Sequence, residues 1–202
     1  GWPTQGIDAP VVCVYGYATD PRYVSVVSDD EGGAHMAVSH LIAKGRSRIA
    51  YIGGIAEWIQ SKQRFAGYKA ALAAHGRGFD ERLVERGDWS RESGYEACLR
   101  LFERARPDAI FSANDKMAAG VLPCLAERGI AVPADVALIG FDDRDLCEFV
   151  TPRLSTIALP LREMGRKAFE VLLANIGAQR AGVEPARGII TVPCRLVERE
   201  ST

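Results

Sequence analysis

Four apolar runs in this 202-residue chain end on side chains that hydrogen-bond or stack: Ser28-Asp29, Asp88-Trp89, Asn114-Asp115 and Asp142-Asp143. Carboxylates and amides hydrogen-bond pairs of hydroxyls, an arginine bridges them in a rigid fork, and an indole stacks on the apolar face of a sugar. The mixture suits a polyol. Each position also has a plainer use. Asn114 and Asp115 serve equally as helix caps, as do Asp29 and Asp30, and Trp89 fits core packing as well as stacking. Asp142-Asp143 follows a fully apolar run, which points one of the two at a cleft and leaves the other as a turn or cap residue. The repetition at equivalent positions carries the signal, not any single site.

Catalytic machinery is not assembled. His35, His40 and His75 lie on helical stretches with surface-like neighbours, and no serine or cysteine nucleophile motif is near them. His35 and His40 are five residues apart, a spacing that does not share one helix face. Gly53-Gly54 is not a dinucleotide fingerprint and no phosphate-binding loop is present, so no cofactor is expected. Cys13, Cys98, Cys124, Cys147 and Cys194 are scattered, with no Cys-x-x-Cys pair and no Cys/His cluster. No metal site is expected, and an odd, dispersed set of thiols fits a reducing cytoplasm better than a disulfide frame.

These side chains need elements to hold them. Short apolar runs alternate with amphipathic helical stretches, the pattern of a parallel sheet with crossover helices. Val11–Tyr15, Val24–Val27, Ile49–Ile52, Leu83–Trp89, Asp108–Phe111 and Val136–Phe141 read as strands. Helices are expected over 33–44, 61–75, 90–103 and 116–128. Leu154–Leu159 runs into Pro160, which places it at an edge or a chain crossing. A helix over 161–175, a surface loop over 177–187 and a strand over 189–196 follow. In an open parallel sheet, ligands bind beyond the carboxyl ends of the strands, where the four polar pairs sit.

The net charge is −1 with both signs mixed along the length, which argues against nucleic-acid binding by these residues themselves. No apolar run approaches the length of a membrane span and no signal-peptide pattern opens the chain, so no membrane association is expected.

The motifs Ser61-x-x-Arg64-x-x-Gly67-Tyr68, Gly87-Asp88-Trp89-x-x-x-Ser93-Gly94-Tyr95, Ala113-Asn114-Asp115-x-Met117-Ala118-x-Gly120 and Val132-Pro133-x-Asp135-Val136-x-x-Ile139-Gly140-Phe141-Asp142-Asp143 occur in that order, followed by Thr151-Pro152-x-Leu154-Ser155-Thr156-Ile157. From Pro10 to Glu198 the chain resembles the effector domain of the lactose-repressor (LacI/GalR) family of bacterial transcription factors, with ribose and purine repressor-like members most visible after Pro133. The resemblance implies an α/β fold of the periplasmic-binding-protein type I kind, two Rossmann-like lobes with parallel sheets. On that reading residues 1–29 are a partial N-lobe, 30–143 a complete C-lobe, 144–177 a returning N-lobe segment, and 178–202 a C-terminal segment returning to the C-lobe.

The same resemblance implies that Arg64, Asn114 and Asp142 hydrogen-bond a small effector, a sugar or a nucleobase-like molecule, held between the lobes, and that Trp89 stacks on it. Ser61 and Asp29 are further candidates. Where family members commonly place a charged pair after the first strand seen here, this chain has Tyr15-Gly16, so Tyr15 is expected to supply stacking. Effector binding would control operator DNA through an upstream helix-turn-helix that these residues do not contain. A cytoplasmic homodimer is implied, with Met117, Val121, Leu122 and Leu125 as the candidate interface. The alternative is an extracytoplasmic sugar-binding protein of a transport system, which shares the fold.

Overall fold

The computed structural model describes residues 9–202. In chain order the elements begin with β1 (Val12–Val14), β2 (Val24–Ser28), α1 (Asp30–Ala43), β3 (Ile49–Gly53) and α2 (Ile59–Ala74). They continue with β4 (Val84–Arg86), α3 (Arg91–Arg104), β5 (Ala109–Ser112), α4 (Asp115–Glu127) and β6 (Ala137–Asp142). The last are α5 (Leu146–Phe149), β7 (Ser155–Ala158), α6 (Leu161–Arg180), β8 (Gly188–Val192) and β9 (Arg195–Val197). The chain divides into two compact units, a larger one of Asp30–Leu159 and Arg195–Thr202 and a smaller one of the residues up to Asp29 with Pro160–Cys194.

The larger unit is built on a six-stranded sheet in the order β4-β3-β5-β6-β7-β9, parallel except for β9, which pairs antiparallel with β7. Strands β3 and β5 are buried along their whole length. That is what a parallel sheet covered on both faces requires, and it explains their unbroken apolar runs. The chain steps one way across the sheet from β3 to β4 and the other way from β4 through β5 to β6. With right-handed crossovers, α2 therefore lies on one face, packed with α1, and α3 and α4 on the other.

Local chemistry marks the helix ends. Ser90 Oγ accepts from Ser93 N to cap α3, and Asn114 Oδ1 accepts from Met117 N to cap α4. Gly76 and Gly129, with φ of 65° and 67°, end α2 and α4 in the left-handed region. Helices α3 and α4 cross closely: a Cβ on Gly120 would lie 1.9 Å from the Arg91 carbonyl oxygen.

The smaller unit is a parallel three-stranded sheet, β1-β2-β8, with α6 packed on it through Val24, Val26, Met164, Ala168 and Val192. Asn175 of α6 accepts from Ala186 N at 2.8 Å and donates to Ala186 O at 3.2 Å, fixing the loop before β8.

Several expectations need correction. Ser155–Ala158 is not an edge: β7 pairs with β6 on one side and β9 on the other, and Pro160 falls where the chain passes to the smaller unit. Residues 144–159 therefore belong with the larger unit, and the chain returns to it at Arg195, not at 178. The run 189–196 is two strands in two sheets, because Pro193 has no N–H to continue a ladder. Helix α6 continues to Arg180, into the segment expected as loop.

The expected dimer stripe is also corrected. Met117, Val121 and Leu125 are fully buried and Leu122 nearly so, packed inward on a helix that the sheet covers on one side and α3 on another. They form core, not an exposed interface.

Candidate functional site

The site of the larger unit is floored by Arg64, on the first turns of α2 and only 2% exposed. A buried guanidinium needs its donors paired. Its Nε donates to Asp30 Oδ1 at 2.6 Å, and its Nη1 donates to the Ala113 carbonyl and, at 3.4 Å, to Asp142 Oδ1. The guanidinium carbon lies 3.8 Å from the Phe141 ring centroid and 5.7 Å from that of Trp89. One cation thus ties together the start of α1 and the ends of β5 and β6.

Asp142 and Asp143 divide their roles. Asp142 faces Arg64, while Asp143 is held from β9 and the segment after it, accepting from Arg199 Nη2 at 2.8 Å with Arg195 3.7 Å away. Burial raises the carboxyl pKa of Asp142, with Arg64 and Arg144 opposing that shift. Beneath the turn, Asp115 is completely buried; its Oδ1 accepts from Thr156 Oγ1 at 2.6 Å and its Oδ2 from Arg144 N at 2.8 Å. Desolvation outweighs these hydrogen bonds and pushes the Asp115 pKa up to about 7.

Asn114 is spent mostly on structure. Its Oδ1 caps α4 and its Nδ2 donates to Trp89 O at 3.0 Å, so one amide hydrogen is left for a ligand. Asp88 is local as well: it accepts from Ser90 N and Ser90 Oγ, which hold its carboxyl down at about 2.

Trp89 lies against Gly54, where a Cβ would come within 2.2 Å of the indole. Two buried donors here have no partner among the described residues: Trp89 Nε1 and Ser61 Oγ. An unsatisfied buried polar group costs about 1–3 kcal/mol, and a ligand oxygen removes that cost.

The backbone points the same way. Among the described residues, the non-glycine positions with positive φ are Tyr15 (63°), Trp89 (77°), Asp142 (117°) and Asp143 (57°). Left-handed geometry costs about 1–3 kcal/mol at such residues and collects at functional sites. Two of the four, Trp89 and Asp142, are residues of the larger unit named from sequence as ligand contacts.

Arg64, Ser61, Trp89, Asn114 and Asp142 are therefore brought together, all within the larger unit. Asp29 and Tyr15 belong to the smaller unit, at the ends of β2 and β1; their backbone N–H groups donate to Val192 O and Val26 O. Sequence reasoning missed Asp30 as the ion-pair partner, since an acid opening a helix reads as a cap. It also missed Trp58, which sits 5.9 Å from Trp89 between ring centroids.

A family model described as a periplasmic binding protein-like domain matches residues 38–202. The regulator DegA of Bacillus subtilis is 37% identical over 177 residues, covering 88% of this chain and 51% of its own length. A LacI-family regulator structure from Sanguibacter keddieii is 37% identical with a TM-score of 0.82, covering 95% of this chain and 71% of that one. A structure of the regulator CelR in complex with cellobiose is 31% identical with a TM-score of 0.84, covering 98% of this chain and 67% of that one. The chain spans about half the length of the curated relatives it matches. It belongs to the periplasmic-binding-protein-like family and, within it, to the LacI family of transcriptional regulators.

Proposed function

We propose that these residues are the effector-binding part of a transcriptional regulator, and that the effector is a sugar bound over Arg64. The observation that carries this reading is the pairing of two orphaned buried donors, Ser61 Oγ and Trp89 Nε1, with a charged floor of Arg64 and Asp142. Hydroxyls accept from those donors and donate to the carboxylate, and the indole covers an apolar ring face. The named relatives are transcriptional regulators, which favours a regulator over a transport component. That the chain catalyses no reaction belongs to the same proposal.

Control of operator DNA would run through an upstream helix-turn-helix, by a difference in effector affinity between two states. Such a protein works in the cytoplasm, as a homodimer. Met117, Val121, Leu122 and Leu125 are already covered within one chain, so a dimer would use other surface; Phe149, 85% exposed, offers apolar area.

A melting-temperature screen of the full-length protein against monosaccharides, disaccharides and purines tests the reading. A ligand bound only by the native state stabilises it by about 2.7 kcal/mol at a hundred times its Kd. A sugar is expected to raise the melting point and the Asp142→Asn variant to lose that response. A response to purines alone, or to nothing, would overturn the assignment. Asp142→Asn is preferable to Arg64→Ala, which would leave Asp30 and Asp142 buried without their cation.

A further inference from the structure

Helix α2 opens on Trp58, whose φ of −71° and ψ of 139° place it at the N-cap. That position favours a short side chain that accepts from the free N–H groups of the first turn, and Trp58 makes no such bond. The indole is also 53% exposed, although it is among the largest apolar side chains available for burial. The sequence thus forgoes a cap and leaves an aromatic ring in water at the same residue. Breaches of local rules of this kind collect where a residue serves binding.

Its neighbours show what the ring serves. Trp58, Ser61 and Arg64 are spaced by three along one face of α2, and exposure falls from about half at Trp58 to almost nothing at the other two. The Trp58 and Trp89 rings are tilted 42° to each other, 5.9 Å between centroids. The backbone of the 55–58 turn is fixed by Trp58 N donating to Ile55 O, and Lys62 N donates to Trp58 O. Six residues of helix separate Trp58 from Arg64, about 9 Å of rise. The exposed Trp58 indole, beside Trp89 and toward the start of α2 from the Arg64 floor, is where a second ring linked to the first would find a flat apolar face.

We infer that Trp58 is a second stacking platform, and that the site takes a sugar carrying a second ring, glycosidically linked, on its outer side. This rests on the sugar-binding reading of the same site. The first ring engages Arg64, Asp142, Ser61 Oγ and Trp89 Nε1, and the second lies on the exposed indole of Trp58. The outer ring needs only a flat apolar face, so a second sugar and an aryl group share the required chemistry.

The test is calorimetric titration of the full-length protein and of its Trp58→Ala and Trp58→Phe variants. The probes are glucose, galactose, cellobiose, lactose and phenyl β-glucoside. At least one two-ring probe is expected to bind tenfold or more tighter than its parent monosaccharide, a preference for cellobiose over phenyl β-glucoside or the reverse identifying the outer ring. Trp58→Ala should bring that ratio close to one, and Trp58→Phe should restore part of it. If two-ring probes gain nothing over glucose and galactose, or keep their advantage in Trp58→Ala, this inference is wrong while sugar binding stands. If none of the five probes binds the wild-type protein, this inference is wrong, and the wider melting-temperature screen decides whether the sugar reading fails with it.

Discussion

Arg64 and Asp30, 34 residues apart in sequence, form an ion pair at 2.6 Å with both side chains almost wholly out of water. The pair fastens α2 to α1 directly beneath the site. Removing one partner of a buried pair costs about 3–5 kcal/mol, because the other charge stays buried without compensation. Arg64→Ala is therefore expected to destabilise the protein by that amount in urea unfolding. Arg64→Lys, which keeps the charge but loses the fork, should cost less yet still weaken sugar binding.

Gly54 lies under the indole of Trp89, and a methyl group there would overlap the ring atoms, the nearest at 2.2 Å. Gly54→Ala is expected to displace Trp89, at a cost of about 1–3 kcal/mol from overpacking. Tryptophan fluorescence should shift and effector affinity should fall at least tenfold. An unchanged spectrum with unchanged affinity would mean that the position of Trp89 does not matter to binding.

Asn114 does two separable things. Asn114→Asp keeps the oxygen that accepts from Met117 N but loses the donor to Trp89 O, whereas Asn114→Ala loses both. Loss of an N-cap costs about 1 kcal/mol. Asn114→Ala is expected to lower stability by at least that much, and Asn114→Asp to cost less stability while still weakening the effector response. Chemical denaturation and calorimetry on the two variants distinguish these roles.

Asp115 predicts a pH dependence. Its carboxyl is raised from the ordinary value of 3.8 to about 7 in the folded state. Between those values the folded state binds the extra proton, so this contribution to stability is full at acid pH. It is lost as pH rises from about 4 through 7. The melting temperature of the wild type should carry this downward component between pH 5 and 8, and Asp115→Asn should flatten it.

Much of this architecture was legible because a covered parallel sheet writes its strands as unbroken apolar runs, as in Ile49–Ile52 and Val136–Phe141. The polar pairs at the strand ends were legible for the same reason, since the topology dictates where a strand's last polar residue lies. What was not legible depends on partners far away in the chain. Nothing local says that Ser155–Ala158 gains a second neighbour from Arg195–Val197, or that Asp30 meets Arg64. The stripe Met117, Val121, Leu122 and Leu125 shows the same limit from the other side. Helical spacing identifies an apolar face but not what covers it, and here the chain's own core does.

The smaller unit draws its sheet from two stretches of chain separated by the whole of the larger one, β2 ending at Ser28 and its partner β8 starting at Gly188. During synthesis, β1 and β2 emerge before the larger unit but cannot pair with β8 until the ribosome has made everything between. At 5–20 residues per second that wait is on the order of 10 s. The larger unit, continuous from Asp30 to Leu159 but for a short closing strand, has most of its contacts available sooner. Chains stalled on the ribosome with β7 outside the exit tunnel and β8 still inside it should thus already resist protease across β3 to β7 while remaining cleavable at β1 and β2. On that expectation the larger unit folds before the smaller one, and β1 and β2 need a route that keeps their apolar edges from pairing with another chain.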